Sequence, residues 1–135
     1  MLRVLQTSIR SATVGKLYRD WLKEAQMLMN EELLRLGVLK PQDVKKQTPD
    51  EPACRKYFPH GLGHPLGLDI HDVGYMSELF ALGWVFTVEP GIYLPDEGLG
   101  VRIENNIVLT DAGPVDLMAD VPVEADEIED LMHGA

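Results

Sequence analysis

Cysteine is nearly missing from this chain. Cys54 stands alone among 135 residues, which excludes an internal disulfide and fits a reducing compartment, so a cytoplasmic location is expected. Nowhere does an apolar run approach the roughly 20 residues that a membrane-spanning helix needs, and no membrane partner is expected. Basic residues are scarce in one half only. Residues 1–58 hold 11 Lys/Arg and 7 Asp/Glu, whereas residues 59–135 hold a single Arg and 15 Asp/Glu. That acidic half speaks against nucleic acid as the main partner, because phosphate contacts need lysine and arginine. It suits a cation site, although acidic surface is also a common solubility device. Acids are lacking at the other end. Met1 to Arg19 carries Arg3, Arg10, Lys16 and Arg19 and no Asp or Glu, a bias shared with mitochondrial presequences; an ordinary helix followed by a turn is the expectation here.

What is present describes one ordinary domain, with 45% hydrophobic and 25% charged residues. Gly15 to Gly37 reads as a long amphipathic helix. Leu17, Trp21, Ala25, Leu28, Glu32 and Leu36 recur at helical spacing, Leu22, Met29 and Leu33 widen the stripe, and Gly37 supplies the C-cap. Lys40 to Pro59 holds four prolines and reads as a long connection outside the core. Three strand-like stretches follow: Leu66 to His71, Trp84 to Glu89 ending at Pro90–Gly91, and Val101 to Thr110 leading into the turn Asp111–Ala112–Gly113–Pro114. An acidic helix from Val123 to Met132 closes the chain. Strands that follow one another without intervening helices predict antiparallel pairing. The expected class is α+β, with the long helix covering one face of the sheet.

The stretch HGLGHPLGLDIHD packs His60, His64 and His71 into thirteen residues. Glycines and Pro65 between them argue against a helix, so loop and strand must aim the rings. His64 and His71 are an odd number of residues apart and would leave a straight strand on opposite faces. They share a cleft only if the chain bends at Pro65–Leu66–Gly67. Glu89 closes an apolar run and Glu104 sits inside another, and a carboxylate in a buried strand needs a partner or a cation. Arg102 lies two residues from Glu104, on the same strand face. An Arg–Glu pair at a sheet edge accounts for either residue alone. Together, three histidines, two glutamates and an arginine make a candidate hydrolytic metal centre whose N/O donors suit Mn, Fe, Co or Zn.

HGLGHPLGLDIHD also resembles the signature of aminopeptidase P and prolidase, proline-specific pita-bread metallopeptidases. FTVEPGIYLP and GVRIENNIVLT resemble that family's two glutamate strands. EADEIEDLM resembles its C-terminal tail, and SIRSATVGKLY its turn into the long helix. The resemblance implies a curved antiparallel sheet beneath a long helix, the C-terminal half of a pita-bread fold. It implies hydrolysis of the bond between an N-terminal residue and proline by a centre that in the complete family holds two divalent ions. By motif, the metal ligands fall on His64, Glu89 and Glu104, with Glu104 the bridge and Glu89 also a proton shuttle. His60, His71, Arg102 and Tyr93 fall where the family binds substrate and steadies the tetrahedral intermediate.

Two further ligands of the family, aspartates on strands before the long helix, have no counterpart among the acids preceding His60. Residues 1–135 are therefore expected to be the C-terminal portion of a catalytic domain, without the N-terminal domain and the half that carries those aspartates. Manganese is the expected ion, with Co or Zn as substitutes, and this chain alone is expected to hold one or none. The expected partners are proline-containing peptides or dipeptides. A second chain supplying the missing half, or a homo-oligomer, is a further expected partner. The competing expectation is a catalytically incomplete binding module or gene fragment.

Overall fold

A computed structural model describes residues 1–74 and 77–134. Helix α1 runs over Leu2–Ser11 and α2 over Tyr18–Arg35. Helix α2 ends as its sequence dictates. Gly37 takes φ +75°, the amide of Gly37 donates to Leu34 O, and the amide of Val38 donates to Leu33 O. This pair of hydrogen bonds to the last turn is the Schellman arrangement, which a side chain at Gly37 would strain. Trp21, Ala25, Met29 and Leu33 form the buried stripe, and each of the larger ones stabilises the fold by about 1.5–3 kcal/mol. Leu36, expected in that stripe, is exposed, because α2 has already ended at Arg35. Glu32, the one polar residue of the expected stripe, is buried and bonds Arg3 of α1 and Arg35 one turn on.

The connection after α2 contributes more to the core than its prolines suggest. Pro41 starts a short helix α3 (Pro41–Lys46), whose Asp43 carboxylate accepts the amide of Lys40, and a 3₁₀ turn spans Ala53–Lys56. Leu39, Cys54 and Phe58 are buried. Proline at the first helical position forfeits no hydrogen bond, so this polar stretch can fold tightly.

Among the described residues five strands follow: β1 (Val85–Val88), β2 (Gly91–Leu94), β3 (Leu99–Arg102), β4 (Asn105–Thr110) and β5 (Gly113–Asp116). They form an antiparallel sheet in the order β1-β4-β5 and an antiparallel β2-β3 hairpin. The expected strand Trp84–Glu89 is β1, which ends before Pro90–Gly91 as expected, whereas the expected strand Val101–Thr110 is interrupted at Ile103–Glu104. Pro90, which has no N–H to offer a ladder, lies across from that interruption, between β1 and β2. The expected turn at residues 111–114 is shorter, and Gly113 and Pro114 already belong to edge strand β5. In β4, Asn105, Ile107 and Leu109 alternate inward, as period-2 patterning predicts. The covering role expected of α2 is shared. Trp21 of α2 meets Phe86 of β1 edge-on at 5.5 Å, and α1 also lies against β1 and β5.

The strand expected at residues 66–71 is absent. The pairing lies a few residues earlier instead. Glu89 N donates to Leu62 O, Thr87 N to His64 O, and Leu66 N to Val85 O. Residues 62–66 thus run antiparallel along the free side of β1, so both sides of β1 are occupied. Beyond Leu66 the chain curls into a loop. Asp72 N donates to Pro65 O and Gly67 N to Asp69 O, while the Asp72 carboxylate accepts the Val73 amide at 2.6 Å. That bond holds the Asp72 carboxyl below its usual range. Leu68, Ile70 and Val73 stay exposed; among the described residues no strand lies opposite them, and strand-forming side chains need such a neighbour to pack against. Helix α4 (Ala125–His133) closes the chain, its Ile128, Leu131 and Met132 exposed.

Candidate metal centre

The strand register builds the site. Val88 pairs Asn105 on one side of the break and Gly91 pairs Arg102 on the other, so Glu89 falls opposite Glu104 on the same ladder. On the other side of β1, His64 faces Thr87. Directly opposed residues share a face, and so do residues two apart on one strand. Alternation therefore delivers His64, Thr87, Glu89 and Glu104 to one face from three adjacent segments. Two carboxylates opposite each other repel unless a positive charge lies between or beside them.

Ligand atoms of His64, Glu89 and Glu104 lie within 4.8 Å of one another. His64 Nε2 stands 3.4 Å from Glu89 Oε1, and both side chains are mostly buried. The tautomer follows from the other ring nitrogen. His64 Nδ1 is 3.1 Å from Pro65 O, and a carbonyl only accepts, so neutral His64 carries its proton on Nδ1. Its Nε2 lone pair then faces a carboxylate oxygen. Acceptor facing acceptor is satisfied by a cation, and an imidazole fixed by a backbone carbonyl is the usual metal-binding arrangement. The donor set therefore fits a divalent ion.

Arg102 partly fills the charge deficit, with Nη1 3.6 Å from Glu89 Oε2 and Nη2 3.7 Å from Glu104 Oε2. His71 stacks on His64 with ring centroids 3.8 Å apart; the expected bend after Pro65 is what brings them together. His60 and Tyr93 form their own pair. The Tyr93 hydroxyl and His60 Nε2 are 2.9 Å apart, and His60 Nδ1 lies 2.8 Å from Gly61 O. By the same carbonyl argument Nδ1 carries the proton, so Tyr93 donates to Nε2. His60, His64, His71, Glu89, Arg102 and Glu104 line one cleft of about 510 Å³. A smaller cavity of about 210 Å³ adjoins it behind His64 and His71, walled by Tyr18, Phe80, Trp84 and Phe86.

Two residues of the site escaped the sequence reading. Tyr18, at the start of α2, donates its hydroxyl to Gly63 O at 2.9 Å and accepts the Leu62 amide at 3.1 Å. Burial pushes its phenol pKa up, against the lowering effect of its backbone hydrogen bonds to Gly63 and Leu62. No local signal marks a tyrosine 45 residues from the loop it holds. The other is Thr87, which was readable: it stands two residues before Glu89 and so on the same strand face.

Comparison with known proteins decides the family. The profile of metallopeptidase family M24 matches residues 1–111. The chain belongs to metallopeptidase family M24. Among similar members of the family is the Xaa-Pro aminopeptidase of Escherichia coli, 40% identical over all of this chain and 33% of its own length. Human Xaa-Pro aminopeptidase 3 is 41% identical over 80% of this chain and 23% of its own length. The solved structure of Zn-substituted E. coli aminopeptidase P in complex with product superposes with a TM-score of 0.85 at 39% identity, covering 98% of this chain and 32% of that one. Residues 1–135 thus share the aminopeptidase P fold and span about a third of the length of the relatives they match.

Proposed function

We propose that this chain carries part of a metallopeptidase centre that hydrolyses the peptide bond between an N-terminal residue and proline. The observation that carries the proposal is the rung of Glu89 opposite Glu104 with the His64 Nε2 lone pair beside it. His64, Glu89 and Glu104 would hold the metal, and further ligands would come from outside residues 1–135, on the same polypeptide or a second chain. Manganese is the ion we propose, although cobalt, zinc and iron accept the same donors. When bound, such an ion supplies Lewis acidity, making water acidic near neutral pH and offsetting charge on a carbonyl oxygen.

The chain's own residues do the rest. Glu89 Oε1 accepts the Thr87 hydroxyl, which leaves Oε2 to take a proton from the attacking water and hand it to the proline nitrogen, which must be protonated to leave. His71 donates toward the oxygen that gains charge. Arg102, tied to both glutamates, and the His60–Tyr93 pair hold the peptide in register.

Purified protein is assayed for Mn-dependent hydrolysis of an Xaa-Pro-Yaa peptide, with equilibrium dialysis alongside. At most one tightly bound ion per chain is expected, and Glu104→Ala abolishes that binding. Two tight ions per chain, or unchanged affinity in Glu104→Ala, refutes the assignment. A folded chain that binds the ion but cleaves nothing points to the binding-module reading, or to the need for the remaining ligands.

A further inference from the structure

The proposed ligands come from separate segments: His64 from residues 62–66 and Glu89 from the end of β1. One side chain joins them. The His64 amide donates to Thr87 Oγ1 at 2.9 Å, and Oγ1 lies 3.0 Å from Glu89 Oε1. A hydroxyl has one proton to give. With the amide proton directed at Oγ1, the hydroxyl's own proton goes to the carboxylate. The chain of donation runs His64 N–H, Thr87 O–H, Glu89 Oε1, each bond polarising the next. Thr87 is 1% exposed, so water does not compete for either bond. Its backbone is engaged as well, since Thr87 N donates to His64 O.

We infer that Thr87 is a positioning residue of the metal centre, fixing the distance and rotamer relation between His64 and Glu89. It satisfies one lone pair of Glu89 Oε1, so the carboxylate presents a single orientation to a cation instead of rotating about its last torsion, which is otherwise soft. It also ties that orientation to the backbone position of the imidazole. Tight packing of the neighbouring backbone supports this. A Cβ at Gly63 would lie 1.8 Å from Thr87 O, which leaves no slack for the segment to shift if the hydroxyl were lost. Thr87 touches no ligand site itself and acts through the other two residues.

The inference rests on the metal reading above, and its test separates the two. Mn²⁺ affinity is measured by calorimetric titration for wild type, Thr87→Val and Thr87→Ser, with Co²⁺ absorption as the geometric readout. Thr87→Val keeps the shape and removes the hydroxyl; Thr87→Ser keeps the hydroxyl. Loss of such outer partners typically weakens metal binding about 10- to 100-fold. That loss, with an altered Co²⁺ spectrum, is expected for Thr87→Val, while Thr87→Ser stays within about threefold of wild type. Equal affinity of folded Thr87→Val and wild type overturns the inference and leaves the metal reading standing. Thr87→Ser as weak as Thr87→Val overturns it too, since packing alone would then be responsible. Wild type that binds no Mn²⁺ overturns the reading that residues 1–135 hold an ion by themselves, and the inference with it. Should Thr87→Val fail to fold, amide exchange in wild type decides: Mn²⁺ slows exchange at His64 N–H, and an unchanged rate overturns the inference.

Discussion

Gly63 is where the fold is least forgiving, and replacing it with alanine gives the sharpest check on the site's construction. The new Cβ would lie 1.8 Å from Thr87 O and 2.7 Å from Thr87 C, both backbone atoms. Restoring ordinary van der Waals contact needs a movement of about 1.5 Å between residues 62–66 and β1. No rotamer change can absorb it. A shift of that size breaks the two bonds that flank the clash, His64 N–H to Thr87 Oγ1 and Thr87 N–H to His64 O, each 2.9 Å long. Leaving a buried polar group unpaired costs about 1–3 kcal/mol for each of the two bonds, so Gly63→Ala should destabilise the protein by about 2–6 kcal/mol. Urea unfolding followed by tryptophan fluorescence and circular dichroism measures this. Gly134→Ala is the control, since a Cβ there meets its nearest atom at an ordinary 3.5 Å and should change stability by no more than about 0.5 kcal/mol. An unfolding midpoint for Gly63→Ala matching wild type would refute the reasoning, because the segment would then have room the geometry denies it.

Two further outcomes follow from other parts of the fold. Glu32 is buried while its partners Arg3 and Arg35 are largely exposed, so the cost of breaking the cluster depends on which side is removed. Arg3→Ala with Arg35→Ala strands a buried carboxylate and should cost about 3 kcal/mol, whereas Glu32→Ala frees two arginines into water and should cost about 1 kcal/mol; equal losses in urea unfolding would contradict this. Burial pushes the Cys54 thiol from 9.0 up to about 11, so the folded chain keeps its proton where the unfolded chain loses it. That contribution to stability is whole below pH 9 and declines as pH rises toward 11. Cys54→Ala should flatten the decline, and pH–stability curves of equal slope for the two proteins would rule it out.

The residues of the candidate centre stood out in the sequence because each broke a pattern: a charge closing an apolar run at Glu89, another inside one at Glu104, and histidines among glycines where no helix could form. The strand boundaries stood out less. Leu66 to His71 looked like a strand, yet apolar composition does not say what lies opposite: Leu66 bonds Val85 of β1, whereas Leu68 and Ile70 stay exposed. The true pairing at residues 62–66 has a glycine and a proline in it and sends no such signal. Likewise Val101 to Thr110 read as one strand because composition does not register the break opposite Pro90. Tyr18 and the Glu32 cluster depended on how distant segments meet, which local spacing cannot encode.

Since β1 with β4 and β2 with β3 keep the same register on both sides of the break, residues 85 to 108 behave as one ruler folded back on itself at Pro95–Gly98. The mark that matters, Glu89 against Glu104, is read from the fold of the ruler and not from its length. Equal additions to both arms of the tip leave the carboxylates opposed, whereas one residue added to a single arm sets Ile103 or Asn105 against Glu89 and turns one carboxylate to the opposite face. The hairpin end is therefore a place where the chain can be lengthened or carry a foreign loop without disturbing the centre, provided the two arms grow in step.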